Sequence, residues 1–358
     1  MITLLDDDAR QSIDAAIDGA LERLERRAAP LGDGARALAA ATTAAAADGK
    51  RLRPALVVAA YRAFGGSTDA LHTAGAAVWD VAAALELLHT AFVVHDDLID
   101  RDLERRGIPN VAGRFRTRAQ AFGASGDQAA TVGDAAAVLA GDLLLFEASR
   151  LVACAPVDAP TRVALLQILD DAILVSASGE LADVEHAARA DYPETDALLG
   201  AAHDKTAAYS FEAPLLAGAV MAGATDAARA QLSLAAADLG LAFQLVDDLI
   251  GTFGSRRQAG RDPGADLREA KRTPLIALAR DTAAWPRVSS ALAVAHTGPI
   301  AVRRAQRELE ASGARDDLVA LIHDRLSRAR SRAASPSLPP AAVALLAEVA
   351  NTIEGRIP

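Results

Sequence analysis

The 358-residue sequence predicts an all-α fold. Hydrophobic residues make up 51% of it while aromatics supply only 4%, and much of the apolar content is alanine. Alanine, leucine and arginine are strong helix formers, and the β-branched and aromatic residues that favour strands are sparse. Apolar residues also recur with helical periodicity along nearly the whole chain, interrupted only by short turn signals.

Taken in order, the periodicity predicts helices over 8–28, 34–48, 52–64 and 70–101, with breaks near Pro30 and at Gly65-Gly66. The next break, Arg106-Gly107-Ile108-Pro109, precedes helices over 128–154 and 159–190, which are separated by Pro156 to Pro160. Pro193 sets off a helix over 195–222, and Pro214 inside it should produce a kink, because proline removes a helical hydrogen bond. Helices over 226–252, 274–283, 300–312, 314–333 and 339–354 complete the reading. Gly254 to Pro263 forms a loop, and Ser335 to Pro340 separates only the last helix. Asp6 to Asp8 and Asp316-Asp317 read as helix caps and first-turn charges. No repeat and no linker composition appears, so residues 1–358 are expected to form a single domain.

The apolar stretches are expected to fall short of the roughly 18 uncharged residues of a membrane span. The N-terminal MITLLDDDARQSID is acidic and polar, unlike a secretory signal. A lone cysteine, Cys154, excludes an internal disulfide and suits a reducing compartment, so a cytoplasmic location is expected. A formal net charge of −10 argues against general nucleic-acid binding. Of 37 basic residues only three are lysine (Lys50, Lys205 and Lys271). Lysine is a compact point charge and arginine a planar fork, and all three lysines stand in stretches suited to hold diphosphate.

One short element occurs twice, HDDLID at 95–100 and VDDLIG at 246–251, each at the C-terminal end of a long apolar helix. Asp96 and Asp100 are four apart and share a helix face, with Asp97 beside them. Carboxylates in that setting suit Mg²⁺, a hard cation that prefers oxygen and bridges to substrate phosphates. An acidic turn in water is the bland alternative, and the second pair, Asp247 and Asp248, weakens it. Gly49-Lys50-Arg51-Leu52-Arg53-Pro54 places three cations within four positions at a helix entrance. Arg105-Arg106-Gly107 follows the first aspartate element, and His89 lies two turns before Asp96.

These stretches, with GD at 141–142, KT at 205–206, FQLVDD at 243–248 and DLREAKRT at 266–273, resemble the trans-isoprenyl (polyprenyl) diphosphate synthases. The resemblance covers about 45–283. It implies a helical bundle of the isoprenoid synthase type with a central substrate cavity, a homodimer, and two substrates, isopentenyl diphosphate and an allylic diphosphate. It implies that Asp96, Asp97 and Asp100, with Asp247 and Asp248, hold Mg²⁺, roughly three ions per site. Arg105, Lys205 and Lys271 would then surround the allylic leaving group, and Lys50, Arg53, His89 and Arg106 the isopentenyl diphosphate. Thr206 and Gln244 stand where the family places neutral dipoles facing a carbocation. Phe92 and Ala91, four and five positions before Asp96, are expected to set chain length. One ring present and one absent favour a C20 product, geranylgeranyl diphosphate, with C15 or a longer chain as the alternatives.

Four positions depart from the family pattern: Gly251 for an aspartate, Glu180 for a glutamine, Arg261 for a lysine and Ala270 for a glycine. Gly251 is expected to weaken the second aspartate element. Two other functions compete. A class I terpene cyclase would need no second cationic pocket, and a non-catalytic partner subunit would need no complete ligand set.

Overall fold

The computed structural model describes residues 5–47, 49–68, 73–189, 191–259 and 263–358. The all-α expectation holds. Among the described residues the chain forms α1 (Asp7–Ala28), α2 (Asp33–Ala46), α3 (Leu52–Ala63), α4 (Thr73–Ile99), α5 (Val111–Ala121), α6 (Gly126–Cys154) and α7 (Ala159–Ala188). It continues with α8 (Thr195–Ala202), a π-helical segment (His203–Glu212), α9 (Ala213–Met221), α10 (Asp226–Phe253), α11 (Arg256–Ala259) and α12 (Ala265–Arg268). The rest is α13 (Pro274–Arg280), α14 (Trp285–Leu292), α15 (Pro299–Ala311), α16 (Ala314–Ala333) and α17 (Pro340–Glu354). A two-residue hairpin, β1 (Glu104–Arg105) and β2 (Ile108–Pro109), interrupts them.

Asp6 caps α1 as expected, accepting from the Ala9 amide at 2.7 Å. Asp316 and Asp317 lie in the first turn of α16. Periodicity misses α5 because its sequence, VAGRFRTRAQA, carries three arginines and buries only Val111, Ala112, Gly113 and Ala119. An asparagine cap starts it instead, Asn110 accepting from the Gly113 amide at 2.9 Å. The predicted start of α4 at residue 70, and Arg261, fall outside the described residues.

The helix that carries Pro214 is not α-helical throughout. The ten residues before Ala213 are wound as a π-helix, with the Ala213 amide donating to the Ala208 carbonyl. The wider turn absorbs the hydrogen bond that proline cannot make, and such segments concentrate at functional sites.

Backbone packing gathers the chain into two compact units that interleave in sequence, one of 3–169 with 217–223, the other of 170–216 with 224–358. In the first, α4 packs against α1, α3 and α6. Every residue from Val81 to Leu88 is buried. Replacing Leu87 or Leu88, neither with any exposed surface, by alanine would cost about 2–5 kcal/mol. In the second unit, α10 packs against α16, α17 and the π segment. Two helical stretches, Ala76–Ile99 and Gly126–Cys154, are long and apolar enough to cross a bilayer by length and composition, with charged residues inside both. The first is mostly buried in protein, and its apolarity is that of a core helix.

Candidate active site

The first aspartate element closes α4. The helix ends with the Asp102 amide donating to the Asp97 carbonyl at 2.8 Å and the Arg101 amide to the Leu98 carbonyl at 3.1 Å. This is a Schellman ending in which Arg101, at φ 62°, takes the left-handed position that glycine usually fills. Arg106 (φ 55°) and Gly107 (φ 76°) then make the two-residue turn of the β1–β2 hairpin, a type I′ arrangement that folds Arg105 back. Arg105 donates from Nε (2.9 Å) and Nη2 (2.7 Å) to Asp97 Oδ1, and Nη2 lies 3.8 Å from Asp96 Oδ2.

Burial pushes the Asp97 carboxyl above its ordinary range, opposed by Arg105 and Asn110. Asp97 is therefore buried against Arg105, while Asp96 is partly accessible and Asp100 exposed. One helical turn separates Asp96 from Asp100, on one face. The GD pair at 141–142 has a steric explanation: a Cβ on Gly141 would sit 2.0 Å from His95 Nε2, so α6 needs glycine where His95 passes.

His89, also on α4, is held well below the ordinary histidine range, first by burial and then by the positive fields of Arg53, Arg105 and Arg106. Its imidazole is neutral at pH 7. Lys50 is exposed at the entrance to α3. Arg51, the third cation of that stretch, is only 6% exposed and pairs with Asp14 and Glu86.

The second aspartate element lies near the end of α10. Asp248 is buried, and its carboxyl is pushed well above the usual range by burial, then by the charges of Asp266 and Asp247. Gln244, one turn earlier, donates to Asp248 Oδ1 at 2.9 Å, and the Lys271 charge acts in the same stabilising sense. Lys271 itself is exposed, 3.6 Å from Glu269.

Gly251 is not an empty position. A Cβ there would lie 1.8 Å from Asp266 Oδ2, so the buried carboxylate of Asp266 fills the space that a third aspartate of this helix would need. Ala270 is left-handed at φ 54°, which explains the family's glycine at that position and costs alanine about 1 kcal/mol.

Two residues escaped the sequence reading: Asp266, and Arg356, whose Nη2 donates to Asp247 Oδ1 and whose guanidinium stacks 4.4 Å from the Phe243 ring centroid. Arg356 is 109 residues from Asp247, beyond any local signal.

Lys205 and Thr206 lie in the π segment. Lys205 Nζ is 2.9 Å from Asp183 and 3.1 Å from Glu180, so the Glu180 departure supplies an ion-pair partner. The segment is packed backbone to backbone: a Cβ on Gly179 would meet the Lys205 amide at 2.2 Å, and one on Gly240 the Ala207 Cβ at 2.6 Å. Of the chain-length pair, Phe92 is half-buried and Ala91 has no exposed surface. A ring at 91 would displace core atoms before it reached a product.

Among the described residues no three histidine, cysteine or acidic side chains are already gathered around one point. Mg²⁺ does not require that, since it is commonly held by one or two carboxylates plus water and substrate phosphates. Asp96 and Asp100 on α4, and separately Asp247 on α10, are oxygen donors that reach solvent, the donor chemistry such an ion takes.

Comparison with known proteins places this arrangement. A polyprenyl synthetase family profile matches residues 35–299. A geranylgeranyl diphosphate synthase of Sulfolobus acidocaldarius is 34% identical over 230 residues, 64% of this chain and 62% of that protein. The chain thus spans less than two thirds of that relative. A short chain isoprenyl diphosphate synthase of Methanothermobacter thermautotrophicus is 30% identical over 84% of this chain and 86% of its own length. The crystal structure of geranylgeranyl pyrophosphate synthase from Corynebacterium glutamicum, complexed with isoprenyl diphosphate and magnesium, superposes with a TM-score of 0.88 at 27% identity. It covers 98% of this chain and 100% of that one. The isoprenoid synthase fold, the order of the motifs and the extent of the match agree: the chain belongs to the polyprenyl synthetase family.

Proposed function

We propose that the chain condenses isopentenyl diphosphate with an allylic diphosphate, in a Mg²⁺-dependent reaction, to give a short-chain prenyl diphosphate, with C20 geranylgeranyl diphosphate the favoured product. The observation that carries this reading is the positive field of Arg53 and Arg106 on the half-buried, neutral His89, beside the first aspartate element that holds Arg105. A reaction that joins two diphosphate substrates needs two such anion sites, whereas a terpene cyclase needs one. The reading of a non-catalytic subunit drew on Gly251, and Asp266 fills that space with a carboxylate.

When bound, Mg²⁺ would neutralise charge developing on the leaving diphosphate oxygen. Asp96 and Asp100 on α4, and Asp247 on α10, are the proposed ligands. Asp97 and Asp248 are buried and hold those turns in place through Arg105 and Gln244. Arg105, Lys205 and Lys271 add positive charge for the leaving group, where electrostatic stabilisation has most effect. Arg53, Arg106, Lys50 and the N–H of neutral His89 bind the isopentenyl diphosphate.

The allylic C–O bond breaks and diphosphate departs. The isopentenyl double bond then attacks the allylic carbon, a C–C bond forms, and loss of a proton regenerates an alkene. Thr206 and the amide oxygen of Gln244 supply neutral dipoles that stabilise the cation without trapping it.

The family match runs through both compact units, which supports treating 1–358 as one functional domain. Val132, Leu139 and Phe146, seven apart on α6 and 42–57% exposed, form an apolar row that a second copy would cover in the proposed homodimer. A cytoplasmic location is part of the proposal and rests on the lone Cys154. The test is product formation by Asp96→Ala with Mg²⁺, isopentenyl diphosphate and an allylic primer. Turnover should fall by orders of magnitude with the melting temperature unchanged, and undiminished turnover would remove Asp96 from the site.

A further inference from the structure

Lys50 and Arg53 flank a residue that faces away from solvent. Arg51 starts α3 in the left-handed region, at φ 53° and ψ 38°, and its guanidinium is buried. Nε donates to Asp14 Oδ1 on α1 at 2.8 Å. Nη1 donates to Glu86 Oε1 on α4 at 3.1 Å and lies 3.4 Å from the Ala46 carbonyl. Glu86 is 4% exposed and stands three residues before His89, on the same face of α4. The loop backbone rests directly on this pair: a Cβ on Gly49 would lie 2.6 Å from Glu86 Oε1 and 3.0 Å from Arg51 Nη1. Arg10 Nη2 donates to the Gly49 carbonyl at 3.2 Å and holds the loop from its other side.

Burial opposes the charge on Arg51, and Glu86 and Asp14 more than offset it, so the guanidinium is bound more firmly as a cation than in water. A buried ion pair adds little net stability over an apolar pair of the same volume, and its best attested use is to fix register. Here the register in question is between the α3 entrance, with Lys50 before the helix and Arg53 in its first turn, and the turn of α4 bearing His89. Neither Arg51 nor Glu86 lies among the residues assigned above to a substrate.

We infer that the Asp14–Arg51–Glu86 network is the positioning device of the isopentenyl-diphosphate subsite, holding Lys50 and Arg53 at the distance from His89 that one diphosphate requires. The inference rests on the reading of Lys50, Arg53 and His89 as ligands of that diphosphate. Arg51 and Glu86 are positioning residues. They act by locking the backbone at the left-handed residue 51, so that the side chains on either side of it diverge from the core toward one anion.

The experiment compares Glu86→Gln, Asp14→Asn and Arg53→Ala. It measures KM for each substrate, calorimetric binding of isopentenyl diphosphate to the metal-free protein, and melting temperature. Glu86→Gln keeps the size and removes the charge. It should raise the isopentenyl diphosphate KM and dissociation constant about tenfold while changing the allylic KM less than twofold. Asp14→Asn, at the more accessible end of the network, should move the same constants in the same direction by less, and serves where Glu86→Gln does not fold. A lowered melting temperature with both KM values changed equally, or with neither changed, would overturn the inference and leave the pair a purely structural one. Arg53→Ala separates the two levels. If it leaves isopentenyl diphosphate binding intact, the subsite reading itself fails. If it weakens binding while Glu86→Gln and Asp14→Asn do not, only the positioning role fails.

Discussion

Restoring the family's aspartate at position 251 should damage this protein. A Cβ at 251 lies 1.8 Å from Asp266 Oδ2 and 2.6 Å from its carboxyl carbon. Side-chain contacts below 3.0 Å do not persist, so Asp266 or α10 must move by about 1 Å. Asp266 is only 6% exposed and has little room to do so. Overpacking of this kind costs about 1–3 kcal/mol. At about 2 °C per kcal/mol for a chain of this size, Gly251→Ala should melt roughly 2–6 °C lower. Gly251→Asp should melt lower still, because it adds a charge beside Asp247, Asp248 and Asp266, whose mutual repulsion already raises the Asp248 carboxyl. Scanning calorimetry of both variants and of the double variant Gly251→Asp/Asp266→Ala measures this directly. The double variant should recover part of the loss, since the two sites share one space. A Gly251→Asp protein with unchanged melting and higher turnover would refute the reasoning and make Gly251 a missing ligand after all.

Phe92→Ala should lengthen the product distribution seen by chromatography, while Ala91→Phe, at a position with no exposed surface, should lower the melting temperature along with any shortening. An unchanged product profile in Phe92→Ala places the floor of the cavity elsewhere. His203 is raised to about 9, chiefly by Glu212 and then Asp204, against burial. Its contribution is complete below the unfolded value of about 6.5 and is lost as pH rises through about 9, so melting temperature should fall over that window and His203→Gln should flatten the fall. An identical slope in the variant would show that another group titrates there. Arg356→Ala removes the cation on Asp247 and should tighten Mg²⁺ binding several-fold in a titration without substrate; weaker binding would show that Arg356 supports the site instead.

The aspartate elements, the cations around His89 and most helix spans were legible in the sequence because each is local. Asp96 and Asp100 are one turn apart, and the helices announce themselves by periodicity. What escaped is long-range or lacks an apolar stripe. Nothing near Gly251 in sequence shows that Asp266 fills its space, and nothing near Arg51 shows that it faces Glu86, 35 residues on, instead of solvent. Helix α5 was hidden for the opposite reason: polar capping, not burial, defines its start. The π segment follows from Pro214, but its form depends on close packing against Gly179 and Gly240, which no propensity encodes.

The central claim is that one chain binds two diphosphates and joins their carbon skeletons. The most direct test supplies labelled isopentenyl diphosphate and Mg²⁺ with C5, C10 and C15 allylic primers in turn and identifies the products by mass. The account predicts incorporation of label into linear prenyl diphosphates with every accepted primer, converging on C20. Release of diphosphate with no label incorporated, or a cyclised hydrocarbon from the primer alone, would contradict it.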